Sequence, residues 1–165
     1  MQIYKSTNKG FTLIELLVVI SIIGILAAIS LVSFTTSQRQ ARDTQRKSDL
    51  KQYSTSLESF ANNNNSLYTS HTSVITLTQG SNTLCTDLGL GTNCPGDPKT
   101  SDASFGYKYV SDGTNGGAAN PNATKYVLWD KLENTPYYWV VCSNGKIGTK
   151  TSTGWSDPAA GTCPI

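Results

Sequence analysis

Lys9-Gly10-Phe11-Thr12-Leu13-Ile14-Glu15-Leu16-Leu17-Val18-Val19-Ile20 opens an apolar run that continues to Phe34. A short polar leader with Lys5 and Lys9 ends at a glycine, and one carboxylate, Glu15, sits near the start of the run. No other charged residue occurs from Leu16 to Gln38. As a helix rising about 1.5 Å per residue, Phe11 to Phe34 reaches far enough to cross a hydrocarbon core of roughly 30 Å. A secretory signal peptide has a shorter apolar core, and the Ala27-Ala28 pair here offers only a weak cleavage site. A plain single-span anchor fits the length and leaves Glu15 unexplained. An ionisable group in such a segment is expensive to desolvate, calls for a partner and marks a functional site.

The stretch Lys9-Gly10-Phe11-Thr12-Leu13-Ile14-Glu15-Leu16 resembles the processing and methylation signature of type IV pilins and type II secretion pseudopilins. Direct resemblance covers about the first fifty residues; beyond them it is architectural. It implies a prepilin with a class III leader, cut by a membrane peptidase between Gly10 and Phe11, with N-methylation of Phe11. It further implies a helix that packs into a filament core. Cleavage there would free an amine on Phe11 at the end of an apolar helix. In a filament, one subunit's Glu15 can then meet another's amine, and in a low-dielectric core that pairing sets axial register, though desolvation offsets much of the gain. The family's frequent helix-breaking proline about twenty residues into the mature chain has no counterpart in Ile29-Ser30-Leu31-Val32-Ser33. Gly24 is the only breaker, at about 1 kcal/mol against alanine, so a continuous membrane helix is expected.

Orientation signals conflict. Arg39, Arg42, Arg46, Lys47 and Lys51 follow the apolar run, and Lys/Arg bias alone favours a cytoplasmic C-terminal side. Four cysteines in a polar domain after a targeting segment argue for an oxidising compartment. The resemblance agrees with the cysteines. The expected location is therefore a single pass in the inner membrane with the N-terminus cytoplasmic, then a cell-surface filament.

The expected fold class is α+β, a long N-terminal helix packed on a small antiparallel sheet of three or four strands. Leu50, Tyr53, Leu57 and Phe60 recur at helical spacing, so the helix outlasts the membrane, and the Asn62-Asn63-Asn64-Asn65 run ends it. Asp43 and Lys47 stand in the favourable i,i+4 order, and the basic stripe reads as a solvated face. Strands are predicted at Phe105–Val110, Lys125–Leu132 and Tyr137–Cys142, with Ser143-Asn144-Gly145 as a hairpin turn and Lys146–Thr149 as the return. The segment Thr69–Thr100 lacks periodicity and reads as a connection. The organisation is thus a cleaved leader over 1–10, a membrane and filament-core helix over 11–34 and its amphipathic continuation over 35–62. A connecting region over 63–104 and a sheet with a disulfide-bounded C-terminal loop over 105–165 complete it.

Cys85, Cys94, Cys142 and Cys163 allow three disulfide connectivities. The preferred one is Cys85–Cys94, pinning the connector, with Cys142–Cys163, tying the C-terminal tail to the last strands. Such a tail loop resembles the disulfide-bounded C-terminal region of many pilins. No Cys-x-x-Cys pair supports zinc. His71 reads as a solvated loop residue, and no phosphate loop, nucleophile elbow or histidine pair is present. Asp112 and Asp157 lie in loops that resemble calcium-touching loops of some pseudopilins, at too low an acid density to assign a metal. Trp129, Trp139 and Trp155 read as core or subunit packing. Without Lys5 and Lys9, the 13 basic residues fall to 11 against 11 acidic, which removes the field a nucleic-acid partner needs.

The reading is a structural filament subunit, with no enzymatic activity, catalytic residue, cofactor or metal. Its partners are copies of itself or other pilins, the prepilin peptidase/methyltransferase, an assembly platform and the membrane. Alternatives are a type II secretion pseudopilin and a membrane-anchored extracellular binding domain that never polymerises.

Overall fold

The computed structural model describes residues 10–80, 82–99, 101–114 and 116–165, with the side chains of residues 30–33 outside that description. Residues 1–9 of the expected leader, with Lys5 and Lys9, lie outside the described residues. Two compact units divide at residues 38 and 39.

In the first unit, helix α1 (Leu13–Asn63) begins at a reciprocal cap. Thr12 Oγ1 accepts from Glu15 N at 3.3 Å, while Glu15 Oε2 accepts from Thr12 N at 2.8 Å. Two helix-start donors are satisfied at once, in the Thr-x-x-Glu capping-box pattern. From there the helix is apolar on every side. Leu13, Ile14, Leu17, Val18, Ile22 and Leu26 are all exposed, and none of the apolar span is buried inside the protein. The helix is long and apolar enough to cross a membrane.

The second unit uses the C-terminal part of α1. Leu50, Tyr53, Leu57 and Ala61 form its buried stripe, at the spacing of one helix face. The helix stops in the asparagine run, where Ser66 N donates to Ala61 O at 2.8 Å. Asn65 takes φ 54°, a left-handed conformation that asparagine tolerates better than most residues.

A five-stranded antiparallel sheet follows, ordered β1 (Ile75–Leu77), β2 (Tyr107–Ser111), β3 (Tyr126–Lys131), β4 (Tyr137–Cys142), β5 (Ile147–Thr151). The α+β class holds with one more strand than expected. β1 and the short helix α2 (Thr83–Asp87) lie in the segment read as a plain connection. Three and five residues are too short to display a period. Phe105, expected in a strand, falls outside because the chain turns at Gly106, whose φ of 148° only glycine adopts readily.

Alternation along the strands buries both faces of the sheet. Tyr107, Tyr109, Tyr126, Leu128 and Val141 pack under α1. Val110, Val127, Trp129, Val140 and Cys142 form a second core on the opposite face, covered by Tyr138, Trp155, Cys163 and Ile165. Disulfides join Cys85 to Cys94 and Cys142 to Cys163. The buried tyrosines under α1 all find acceptors: Tyr53 donates to Pro95 O, Tyr107 to Asp49 Oδ2, Tyr109 to Thr69 O and Tyr126 to Glu58 Oε1. An aromatic body stays dry while its polar tip is satisfied.

Candidate functional site: the N-terminal segment and the arginine clamp

Gly10 and Phe11 precede the helix in the open. Phe11 is 89% exposed, and no atom lies within 4 Å of where a Gly10 side chain would begin. Glu15 projects from the first turn of α1, one turn from Phe11. Thr12 Oγ1 also donates to Glu15 Oε2 at 2.7 Å, so the carboxylate is gathered towards the helix start. The space around Gly10 is open, and Glu15 is held at the helix start through Thr12.

The second unit contains a charged centre that the sequence reading missed. Arg46, expected on a solvated stripe, is fully buried. Its Nε donates to Asp97 Oδ2 at 2.5 Å, Nη1 to Asp43 Oδ1 at 2.8 Å, and Nη2 to Asp97 Oδ1 at 2.9 Å and Glu133 Oε1 at 2.8 Å. Arg42 grips Glu133 with a second fork, both bonds at 2.7 Å. Asp43 receives the backbone N–H groups of Glu133 and Asn134 at 2.8 and 2.9 Å, capping the β3–β4 turn from α1. Phe105 lies 4.7 Å under the Arg46 guanidinium, with Lys99 Nζ at 4.5 Å. Asp43 therefore pairs with Arg46 rather than Lys47, and Lys47 sits 4.9 Å over Trp139.

Burial works against the charge of Arg46, yet its hydrogen bonds to Asp97 and Glu133 hold its pKa above the ordinary value. The Arg42 fork, helped by Arg46 and opposed by burial, holds Glu133 down at about 2. Burial and the neighbouring Asp97 push Asp130 well up, whereas Arg46 keeps Asp97 down despite its own burial. Bidentate arginine is the side chain suited to such a site. The clamp ties α1, the loop after Cys94, β3 and the β3–β4 turn into one unit.

The other candidates are occupied locally. Asp112 accepts from Thr124 N, Thr124 Oγ1 and Lys125 N at 2.7, 2.6 and 2.8 Å, tying a turn. Asp157 accepts from Trp155 Nε1 at 3.1 Å. His71 is not a free loop ring: its Nε2 lies 2.6 Å from Asp87 Oδ2, joining the Thr69–His71 segment to α2. Trp129 is fully buried, and Trp155 stacks on Tyr138 at 4.0 Å. Among the described residues, no cluster of three or more metal-ligating side chains is placed to hold an ion.

The prokaryotic N-terminal methylation motif family matches residues 5–31, the leader junction and the first turns of α1. The type IV major pilin protein PilA of Myxococcus xanthus is 44% identical over 57 residues, 34% of this chain and 26% of that protein. The type IV major fimbrial protein FimA of Dichelobacter nodosus is 43% identical over 54 residues, 33% of this chain and 35% of that protein. The motif and these relatives show that the N-terminal third of the chain is similar to the same segment of type IV major pilins. It spans only about a quarter to a third of the length of the curated relatives it matches. No solved structure matches it significantly.

Proposed function

We propose that this chain is a structural subunit of a type IV pilus-like filament, processed between Gly10 and Phe11, N-methylated on Phe11 and assembled through α1, with Glu15 setting register. The observation that carries the reading is the methylation motif on a helix whose apolar side chains are exposed on every side. Such a surface is stable only in lipid or against other apolar helices. A membrane serves as the waiting state and a filament core as the final one. The partners are copies of the chain or other pilins, a prepilin peptidase/methyltransferase and an assembly platform. Processing exposes the Phe11 amine beside an acid already held at the helix start, so uncleaved chains lack the charge that pairs with Glu15.

Glu15 has two separable tasks, which Ala and Gln substitutions distinguish. Glu15→Ala removes both the capping partner and the charge. Glu15→Gln keeps the capping pattern and removes only the charge. Both variants are expected to enter the membrane and be processed, and both are expected to lose sheared surface filaments. Filament yield from Glu15→Gln equal to that of the parent chain would overturn the register role. An anchored domain that never polymerises is indifferent to both changes.

A further inference from the structure

The clamp holds more acid than base. Asp43, Asp97, Asp130 and Glu133 face Arg46, and Arg42 adds the only other guanidinium, through Glu133. The four carboxylate side chains are at most 8% exposed. Asp130 is the one left wanting. Its Oδ1 accepts from Gly106 N at 3.0 Å and Lys131 N at 2.7 Å, while its Oδ2 has no hydrogen-bond partner among the described residues. Arg46 Nε lies 3.3 Å from Oδ2, but its single hydrogen is directed at Asp97 Oδ2 at 2.5 Å. A buried, fully charged oxygen without a donor is costly. Asp97 Oδ2 and Asp130 Oδ2 face the same Arg46 Nε, at 2.5 and 3.3 Å, and two carboxyl groups so placed have a simpler solution: one keeps its proton and shares it with the other.

We infer that Asp97 and Asp130 share one proton in the folded domain, and that this acid pair is a pH-sensitive latch holding the loop after Cys94 and the β3–β4 turn onto α1. A proton on Asp130 Oδ2 supplies the missing donor and removes the second negative charge that Arg46 cannot neutralise alone. Among the described residues, no other donor satisfies Asp130 Oδ2. Arg46, Asp43 and Asp49 face the pair from α1, and Glu133 from the turn. Tyr107 of β2 and Tyr138 of β4 sense the charge of Asp130, and both phenols are held above their ordinary pKa, chiefly by burial. Lys99 and Lys131 direct their ammonium groups over Phe105, at 4.5 and 5.7 Å.

The upward displacement of Asp130 agrees with this arrangement and fixes its sign. The folded state keeps a proton that the unfolded chain releases near the ordinary carboxylate pKa of about 4. The contribution of Asp130 is therefore full below that value, declines as pH rises, and is lost above the raised folded value. Across that window one linked proton changes the folded-to-unfolded ratio about tenfold per pH unit. Asp97 and Glu133 act oppositely, since their lowered values withdraw stability only as pH falls through them. The domain is therefore most stable at mildly acidic pH.

The test compares the full chain in detergent micelles with Asp130→Asn, whose amide imitates the protonated acid. The parent chain is expected to lose stability between about pH 4 and about pH 8, from the ordinary carboxylate value to the raised one of Asp130. Asp130→Asn is expected to be nearly flat over that range and to overtake the parent at the alkaline end. Infrared spectra of the parent at neutral pH should show a protonated carboxylic acid band that Asp130→Asn lacks. Equal pH slopes for the two chains, or no such band in the parent, would overturn the inference. Should the variant fail to fold, the presence or absence of the parent's band decides.

Discussion

Chains carrying Arg46→Ala are expected to unfold in denaturant with about 3–5 kcal/mol less stability than the parent, the range typical of removing one partner from a buried ion pair. That is a large share of the roughly 5–15 kcal/mol that holds an ordinary domain together. Asp43, Asp97 and Glu133 would each lose a charged donor, and Asp130 its nearest cation. All four carboxylate side chains are at most 8% exposed, so little water reaches them in place of the guanidinium. Arg46→Lys keeps the charge but replaces a planar fork with a point donor that cannot serve three carboxylates at these angles, so an intermediate loss is expected. The deficit of Arg46→Ala should shrink at acid pH, where the orphaned carboxylates protonate. Arg42→Ala should cost less, because that side chain is 31% exposed and serves Glu133 alone. An Arg46→Ala chain within about 0.5 kcal/mol of the parent, the range of ordinary surface changes, would mean the clamp does not hold the domain together.

Opening the Cys142–Cys163 bridge with Cys163→Ser in a Cys142→Ser background is expected to cost about 3 kcal/mol, from loop closure across a separation of 21 residues. The loss reaches beyond entropy. Trp155, Cys163 and Ile165 cover the second apolar face, where Trp129 and Val140 are fully buried. A tail released from Cys142 would expose that face, and an open apolar patch of this kind invites association. Limited proteolysis should then cut within residues 152–165, a segment expected to resist in the parent, and tryptophan emission should shift towards that of solvated indole. Unchanged stability and unchanged protease resistance would show that packing alone seats the tail.

The elements that could be read from the sequence share a cause. The apolar run of α1 is continuous in the chain, and β3 and β4 are long enough to show alternation. Local order was enough for these. β1 and α2 escaped because their few residues carry no period, and they form only where β2 and the Cys85–Cys94 bridge support them. Arg46 escaped for another reason. Its position continues the stripe of Leu50, Tyr53 and Leu57 back by one turn, a signal that places it on the buried face. Charge outweighed position in the reading, because arginine is almost never buried unless paired. Its partners come from α1 itself, a loop, β3 and a turn, up to 87 residues away, and no local pattern announces them. The Thr12–Glu15 cap follows the Thr-x-x-Glu pattern, which gives Glu15 a local partner besides any it finds through its charge. His71 differs again: a lone histidine in a Ser/Thr-rich loop gave no hint of Asp87, sixteen residues on, until α2 placed that carboxylate beside it.

The central claim is that the chain is cut between Gly10 and Phe11 and then polymerises through α1. The most direct measurement is the N-terminal mass of the native protein, taken separately from membranes and from material sheared off the cell surface. The account predicts a chain beginning at N-methylated Phe11 in the sheared fraction. A chain beginning at Met1 and confined to membranes would contradict it.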